Sequence, residues 1–116
     1  MLLVNIDIEL SSGLKEKQKM DYIKPDNVTS PRKNWSLIAV LDEGTEGSSA
    51  LALGTWKGQP RLGMRWNGRS DNPVGNPQSR GLPTWFMLDE KYQQAILQSG
   101  LLAPDKVILA RHFFPK

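Results

Sequence analysis

The chain has 116 residues, with 15 Lys and Arg against 12 Asp and Glu, a net charge of +3, one histidine and no cysteine. That length is one domain's worth, residues 1–116, and buries roughly two-thirds of the surface its unfolded form exposes, so no covalent staple is needed. The missing cysteines exclude disulfides, thiolate zinc sites and cysteine nucleophiles, and they suit a reducing compartment.

Residues 1–10 alternate, with Leu2, Val4, Ile6, Ile8 and Leu10 on one side and Leu3, Asn5, Asp7 and Glu9 on the other. Period two predicts a strand with one buried face. The same acids interrupt any apolar signal region and no basic n-region precedes them, so a cytoplasmic protein is expected. No apolar run approaches the length of a membrane span. Residues 11–34 are dominated by Ser, Gly, Lys, Glu, Gln and Pro and read as a polar connection, with a short, poorly periodic N-terminal helix allowed from Leu14 to Ile23.

Trp35 to Leu41 is apolar on both alternating faces, which predicts a central strand covered on each side. After a polar turn, Ala50–Trp56 and Arg61–Trp66 form two runs split by Lys57-Gly58-Gln59-Pro60, a hairpin with a four-residue loop. Gly68 to Pro83 holds three glycines and three prolines with almost nothing apolar. Loops this long are uncommon in compact domains and are usually functional or disordered. Thr84–Leu88 returns as a strand. Asp89 then caps a helix through Ser99, with Gly100 as its stop and Tyr92, Ala95, Ile96 and Ser99 as its inner face. Val107–Phe114 reads as a last strand. The fold class is α+β: a mostly antiparallel twisted sheet of about five strands with one clear C-terminal helix.

Charge is unevenly spread. Residues 49–88 hold five Lys and Arg (Lys57, Arg61, Arg65, Arg69, Arg80) against one acid, Asp71. Trp56, Trp66 and Trp85 fall in the same stretch. Such polarisation bears on partners, not on fold. Arg61, Arg65 and Asn67 are two apart, so all three are expected to emerge from one side of the sheet, with Arg69 and Arg80 flanking the loop. Guanidinium forks suit phosphate or carboxylate oxygens, and loop glycines could turn backbone N–H groups toward an anion. The expected ligand-binding residues are Arg65, Trp66, Asn67, Arg69, Asn76, Ser79, Arg80 and Trp85. The bland reading is that the tryptophans are core and the arginines merely solvated, or that Arg80 clamps Asp71 across the loop.

No nucleotide fingerprint or nucleophile elbow is present. His112 alone cannot make a zinc site, and the acids Asp42, Glu43 and Glu46 cluster in a turn with nothing to protonate. No catalytic residue, metal site or cofactor is therefore expected. The run Leu62-Gly63-Met64-Arg65-Trp66-Asn67-Gly68, continuing through Gly75-Asn76-Pro77-Gln78-Ser79-Arg80-Gly81 to Pro83-Thr84-Trp85-Phe86, resembles small uncharacterised bacterial proteins carried on mobile elements, including integron gene cassettes. The resemblance covers about residues 35–97. It implies a bacterial accessory protein without an established activity, and no residue role follows from it.

The expected function is a non-enzymatic binding module whose Arg- and Trp-rich hairpin and loop meet an anionic partner, a nucleic acid or an acidic protein surface. Its alternative is a protein-interaction or inhibitor module, open to homodimer formation, with apolar contacts from Leu53, Trp56 or Phe113–Phe114. A small enzyme with its site in loop 68–83 is the third reading.

Overall fold

The computed structural model describes residues 22–114. The strand expected over residues 1–10 and nearly all of the short helix expected after it lie outside those residues. Among the described residues, β1 (Trp35–Asp42), β2 (Ser49–Trp56) and β3 (Gln59–Trp66) form an antiparallel meander that β6 (Phe86–Met87) extends on the far side of β3. Between β3 and β6 a separate two-stranded ribbon, β4 (Gln78–Ser79) and β5 (Leu82–Pro83), rises out of the loop. Two helices follow, α1 (Gln93–Gln98) and α2 (Pro104–Arg111).

The β2–β3 hairpin closes on two residues, not four. Lys57 and Gly58 both take positive φ, 53° and 83°, the pattern of a type I′ turn whose twist matches that of its strands. Pairing runs unbroken from Trp56–Gln59 to Ser49–Trp66. β1 carries two register shifts and stands at one end of the strand order among the described residues. The apolar run marks β1 as a central strand covered on each side; among the described residues β2 and β3 hold the central places and β1 is paired on one side.

Side-chain alternation divides the sheet into two faces. Leu53 and Leu62 are paired across β2 and β3 and are buried with Leu41, Leu97, Leu102, Ala110 and Phe114 beneath the two helices. The opposite face gathers Trp35, Ala50, Ala52, Val28 and Trp85 in a second cluster, covered by the segment that runs from Ile23 to Pro31. That segment is tied down by Ile23 N donating to Pro73 O (3.0 Å) and by Trp85 N donating to Ser30 O (3.0 Å).

The expected last strand is a helix. Pro104 sits in the first turn of α2, where its missing N–H is no loss. Val107, Ala110 and Phe114 then recur at helical spacing toward the Leu53–Leu62 cluster, while Ile108 is exposed. A short apolar run does not by itself separate strand from helix, and the preceding proline decides. Asp89 caps as expected, its Oδ1 accepting from Lys91 N at 3.0 Å, but it opens a single 3-10 turn over Glu90–Tyr92 that continues into α1. The inner face of α1 is Gln93, Ile96 and Leu97, whereas Tyr92 and Ala95 face out. No helix among the described residues is long and apolar enough to cross a membrane.

Candidate functional site

The centre of the expected anion site is a structural pin. Arg65 lies on the face opposite the helices and is 1 % exposed. Strand alternation puts it on one side with Arg61, but that side is covered at Arg65, and Arg61 lines a hollow with Glu90, Gln93, Phe113 and Phe114 of the helical region. Its guanidinium donates to three backbone carbonyls: Thr84 O at 2.5 Å, Pro77 O at 3.4 Å, and Val74 O. Asn76 exchanges both backbone hydrogen bonds with Trp66, at 2.7 and 3.0 Å, and Phe86 pairs with Met64. Between those two anchor points the chain leaves the sheet edge for the ribbon, and Thr84 N closes its base on Pro77 O at 3.1 Å. Arg65 fills that gap, supplying donors that a paired strand would otherwise have provided.

Burial pulls the Arg65 guanidinium below its ordinary pKa. It starts so far above neutrality that it remains a cation under physiological conditions. Gly75 belongs to the same arrangement. Its φ is 70°, and a Cβ there would strike the Trp66 carbonyl and come within 2.7 Å of the Arg65 guanidinium.

Two more expected ligand residues are spent on the fold. Asn67 is buried, and its Nδ2 donates to Glu43 O and Thr45 O, both at 3.0 Å. It thereby fixes the β1–β2 turn against the start of the long loop. Trp85 is buried in the second cluster, its Nε1 donating to Val28 O at 2.6 Å. Neither side chain offers a surface to a partner. Arg69 is exposed, but its guanidinium packs on Gly47, in the turn that also carries Asp42, Glu43 and Glu46. The Glu46 carboxylate accepts from Ser70 N at 2.9 Å. This end of the sheet is acidic, so Arg69 is set apart from the other loop arginine by its electrostatic surroundings.

The remaining four residues fall into two hollows. Trp66 and Asn76 line a groove of about 260 Å³ with Met64, Pro77 and Phe86. Met64 and Phe86 are direct cross-strand partners and Trp66 is two residues along the same face, so all three side chains continue the helix-side face beyond the helices. Trp66 is 55 % exposed and Phe86 60 %. Ser79 and Arg80 line a recess of about 280 Å³ together with Ser30, Pro31, Leu82 and Thr84. Arg80 and Gly81 form the β4–β5 turn with φ of 55° and 79°. A non-glycine residue there adopts a left-handed backbone that costs roughly 1–2 kcal/mol.

Sequence reasoning missed the partners that complete each hollow. Ser30 and Pro31 sit in the stretch read as an exposed connection. They are followed by the exposed cations Arg32 and Lys33, and Lys57 N reaches Asn34 O at 2.8 Å. The Arg32-Lys33 pair was the available signal. Of the residues expected to offer apolar contacts, Leu53 and Phe114 are buried in the helix-side cluster, while Trp56 and Phe113 are half-buried. No group of three His, Asp or Glu able to hold a metal ion occurs among the described residues. Comparison with family models, with curated proteins and with solved structures gives no match.

Proposed function

We propose that the protein is a non-enzymatic binding module that takes an anionic partner at the recess beside the β4–β5 turn. One observation carries the reading: Arg80, on left-handed backbone, lines the same hollow as the hydroxyl-bearing residues Ser30, Ser79 and Thr84. Lys57 takes the same left-handed conformation in the β2–β3 turn, so what distinguishes Arg80 is the hollow that it lines. A guanidinium beside hydroxyl groups suits phosphate or carboxylate oxygens. Neither a carboxylate nor a histidine lines the recess, so binding is favoured over acid–base chemistry. The exposed cations Arg32 and Lys33 supply further positive field from the adjoining segment.

Titration of the protein with inorganic polyphosphate at low ionic strength tests this. Arg80→Ala is expected to weaken binding by about tenfold, the loss of one charge-assisted contact, with the melting temperature unchanged. Arg69→Ala is expected to change it by less than twofold. Equal losses from both variants would locate the anion elsewhere.

A second reading, apolar contact with a protein partner, draws on the exposed Trp66 and Phe86 rings. Association through those rings alone would persist as salt is raised, whereas ionic association fades.

A further inference from the structure

We infer that the hollow between the start of β3 and the two helices is a binding site for a small zwitterion of the amino-acid type. The carboxylate of that molecule meets Arg61 and its ammonium meets Glu90. The site is separate from the Arg80 recess, with which it shares no lining residue.

The hollow measures about 530 Å³, within the range of roughly 300–1,000 Å³ over which proteins take small molecules. Its walls are held by the fold. Pro60 and Arg61 are paired with Thr55 and Gly54 in the central hairpin. Glu90 lies in the 3-10 turn that Asp89 caps, and Gln93 and Gln94 open α1. Phe113 and Phe114 form the other side, each donating its backbone N–H to Ala110 O at 2.9 Å. Phe114 belongs to the helix-side core and Phe113 packs against it, so this wall is apolar and anchored.

Part of the hydrogen-bonding capacity of the walls is unused. Gln93 is 8 % exposed, and its Oε1 is buried with no hydrogen-bond partner. Arg61 Nε is in the same condition. Buried polar atoms without partners are rare in folded proteins and costly. Here an orphaned donor and an orphaned acceptor belong to residues of one hollow. Gln94 differs: its Oε1 accepts from Arg111 Nη1 at 2.6 Å, which leaves its Nε2 as a donor. The hollow thus has donors on Arg61 and Gln94 and acceptors on Glu90 and Gln93.

Charge selects the class of ligand. Arg61 and Glu90 line the same hollow, and among the described residues no ion pair joins them. A simple anion would meet the Glu90 carboxylate and a simple cation the Arg61 guanidinium, so each is disfavoured by one wall. A molecule carrying both signs satisfies both. The guanidinium fork suits a carboxylate, with Gln94 Nε2 as a further donor. An ammonium has three N–H donors, which Glu90 and Gln93 can accept. Phe113 then gives an apolar side chain of the same molecule a surface to pack on. Charges that were merely solvated would need no such explanation, but Arg61 is half-buried and its Nε is shut off from water.

Calorimetric titration of the full chain with L-phenylalanine, the dipeptide alanylphenylalanine, N-acetylphenylalanine and phenylalaninamide tests this. The first two keep both charges, the third lacks the ammonium and the fourth lacks the carboxylate. Both zwitterions are expected to bind saturably. The two blocked forms are expected to bind at least about tenfold more weakly, each having lost one charge-assisted contact. Tighter binding of the dipeptide would assign the site to peptides, and tighter binding of phenylalanine to free amino acids. Arg61→Gln should weaken phenylalanine about tenfold and erase its advantage over phenylalaninamide. Glu90→Gln should erase its advantage over N-acetylphenylalanine. Polyphosphate affinity should stay within about twofold of the parent in both variants, as should phenylalanine affinity in Arg80→Ala, so the two sites stand or fall separately. No saturable binding of either zwitterion at millimolar concentration overturns the inference. Equal binding of all four molecules also overturns it, since the contact would then be apolar alone. So would Arg61→Gln and Glu90→Gln proteins that melt lower yet discriminate as the parent does, because the two charges would then serve the fold. If Arg61→Gln does not fold, the comparison of the four molecules on the parent chain decides by itself.

Discussion

A buried arginine whose hydrogen bonds all end on carbonyl oxygens is stabilised by dipoles alone, and truncating Arg65 strips its donors from Thr84 O and Val74 O, while Pro77 O keeps Thr84 N. Arg65→Ala is therefore expected to cost at least about 3 kcal/mol of unfolding free energy in a urea melt, the sum of hydrogen bonds to a charged donor. Arg65→Lys is expected to recover little, because one ammonium cannot serve three carbonyls from the fork's positions. Gly75→Ala should destabilise by more than 1 kcal/mol from the positive φ and the contact with Arg65 and Trp66. Arg80 is predicted to behave in the opposite way. Arg80→Gly removes left-handed strain of roughly 1–2 kcal/mol at an entropic cost of about 0.5–1 kcal/mol, so stability should be unchanged or up to about 1 kcal/mol greater while polyphosphate binding falls. A residue whose removal helps the fold and harms binding is the signature of a ligand contact.

At the scale of elements, the legible parts were those with a strong local code. The β2–β3 pair was visible because two apolar runs flank a Lys-Gly turn, and the α1 start because Asp89 precedes a capping turn. Two kinds of information were not local. The period of Val107–Phe114 is ambiguous over so few residues, and only packing of Ala110 and Phe114 under the sheet reveals the helix. Substitutions separate the two: Ala110→Glu is expected to be severely destabilising and Ile108→Glu to lie within about 0.5 kcal/mol of the parent, whereas a strand would have placed residues 108 and 110 on one face. The burial of Arg65 and Asn67 was equally hidden. Alternation along β3 sets Arg65 apart from Leu62, Met64 and Trp66, but nothing in the run says that residues 23–31 and the long loop cover that face. Charge patterning reports which side a residue takes, and tertiary cover decides whether that side meets water. Of the eight residues singled out beforehand, the two hollows retain Trp66, Asn76, Ser79 and Arg80; Arg65, Asn67 and Trp85 are structural, and Arg69 stands in the acidic turn.

Among the described residues, Asp42, Glu43 and Glu46 belong to the turn against which Arg69 packs, while Arg80 lines the recess and the exposed Arg32 and Lys33 follow its Ser30 and Pro31. A polyanion would be steered toward the second group and away from the first. With two or three phosphates engaged, the affinity for polyphosphate should fall with a slope of about −2 in a plot of log affinity against log salt. A slope near zero would mean that contact is apolar. Arg65 and Arg80 play different parts, one in the fold and one at the ligand, and the most direct test measures melting temperature and polyphosphate affinity side by side for Arg65→Ala and Arg80→Ala. The expected result is a large fall in melting temperature for the first, and an intact melting temperature with about tenfold weaker binding for the second. An Arg65→Ala protein that melts like the parent and binds polyphosphate poorly would contradict it, because the buried guanidinium would then be serving the ligand.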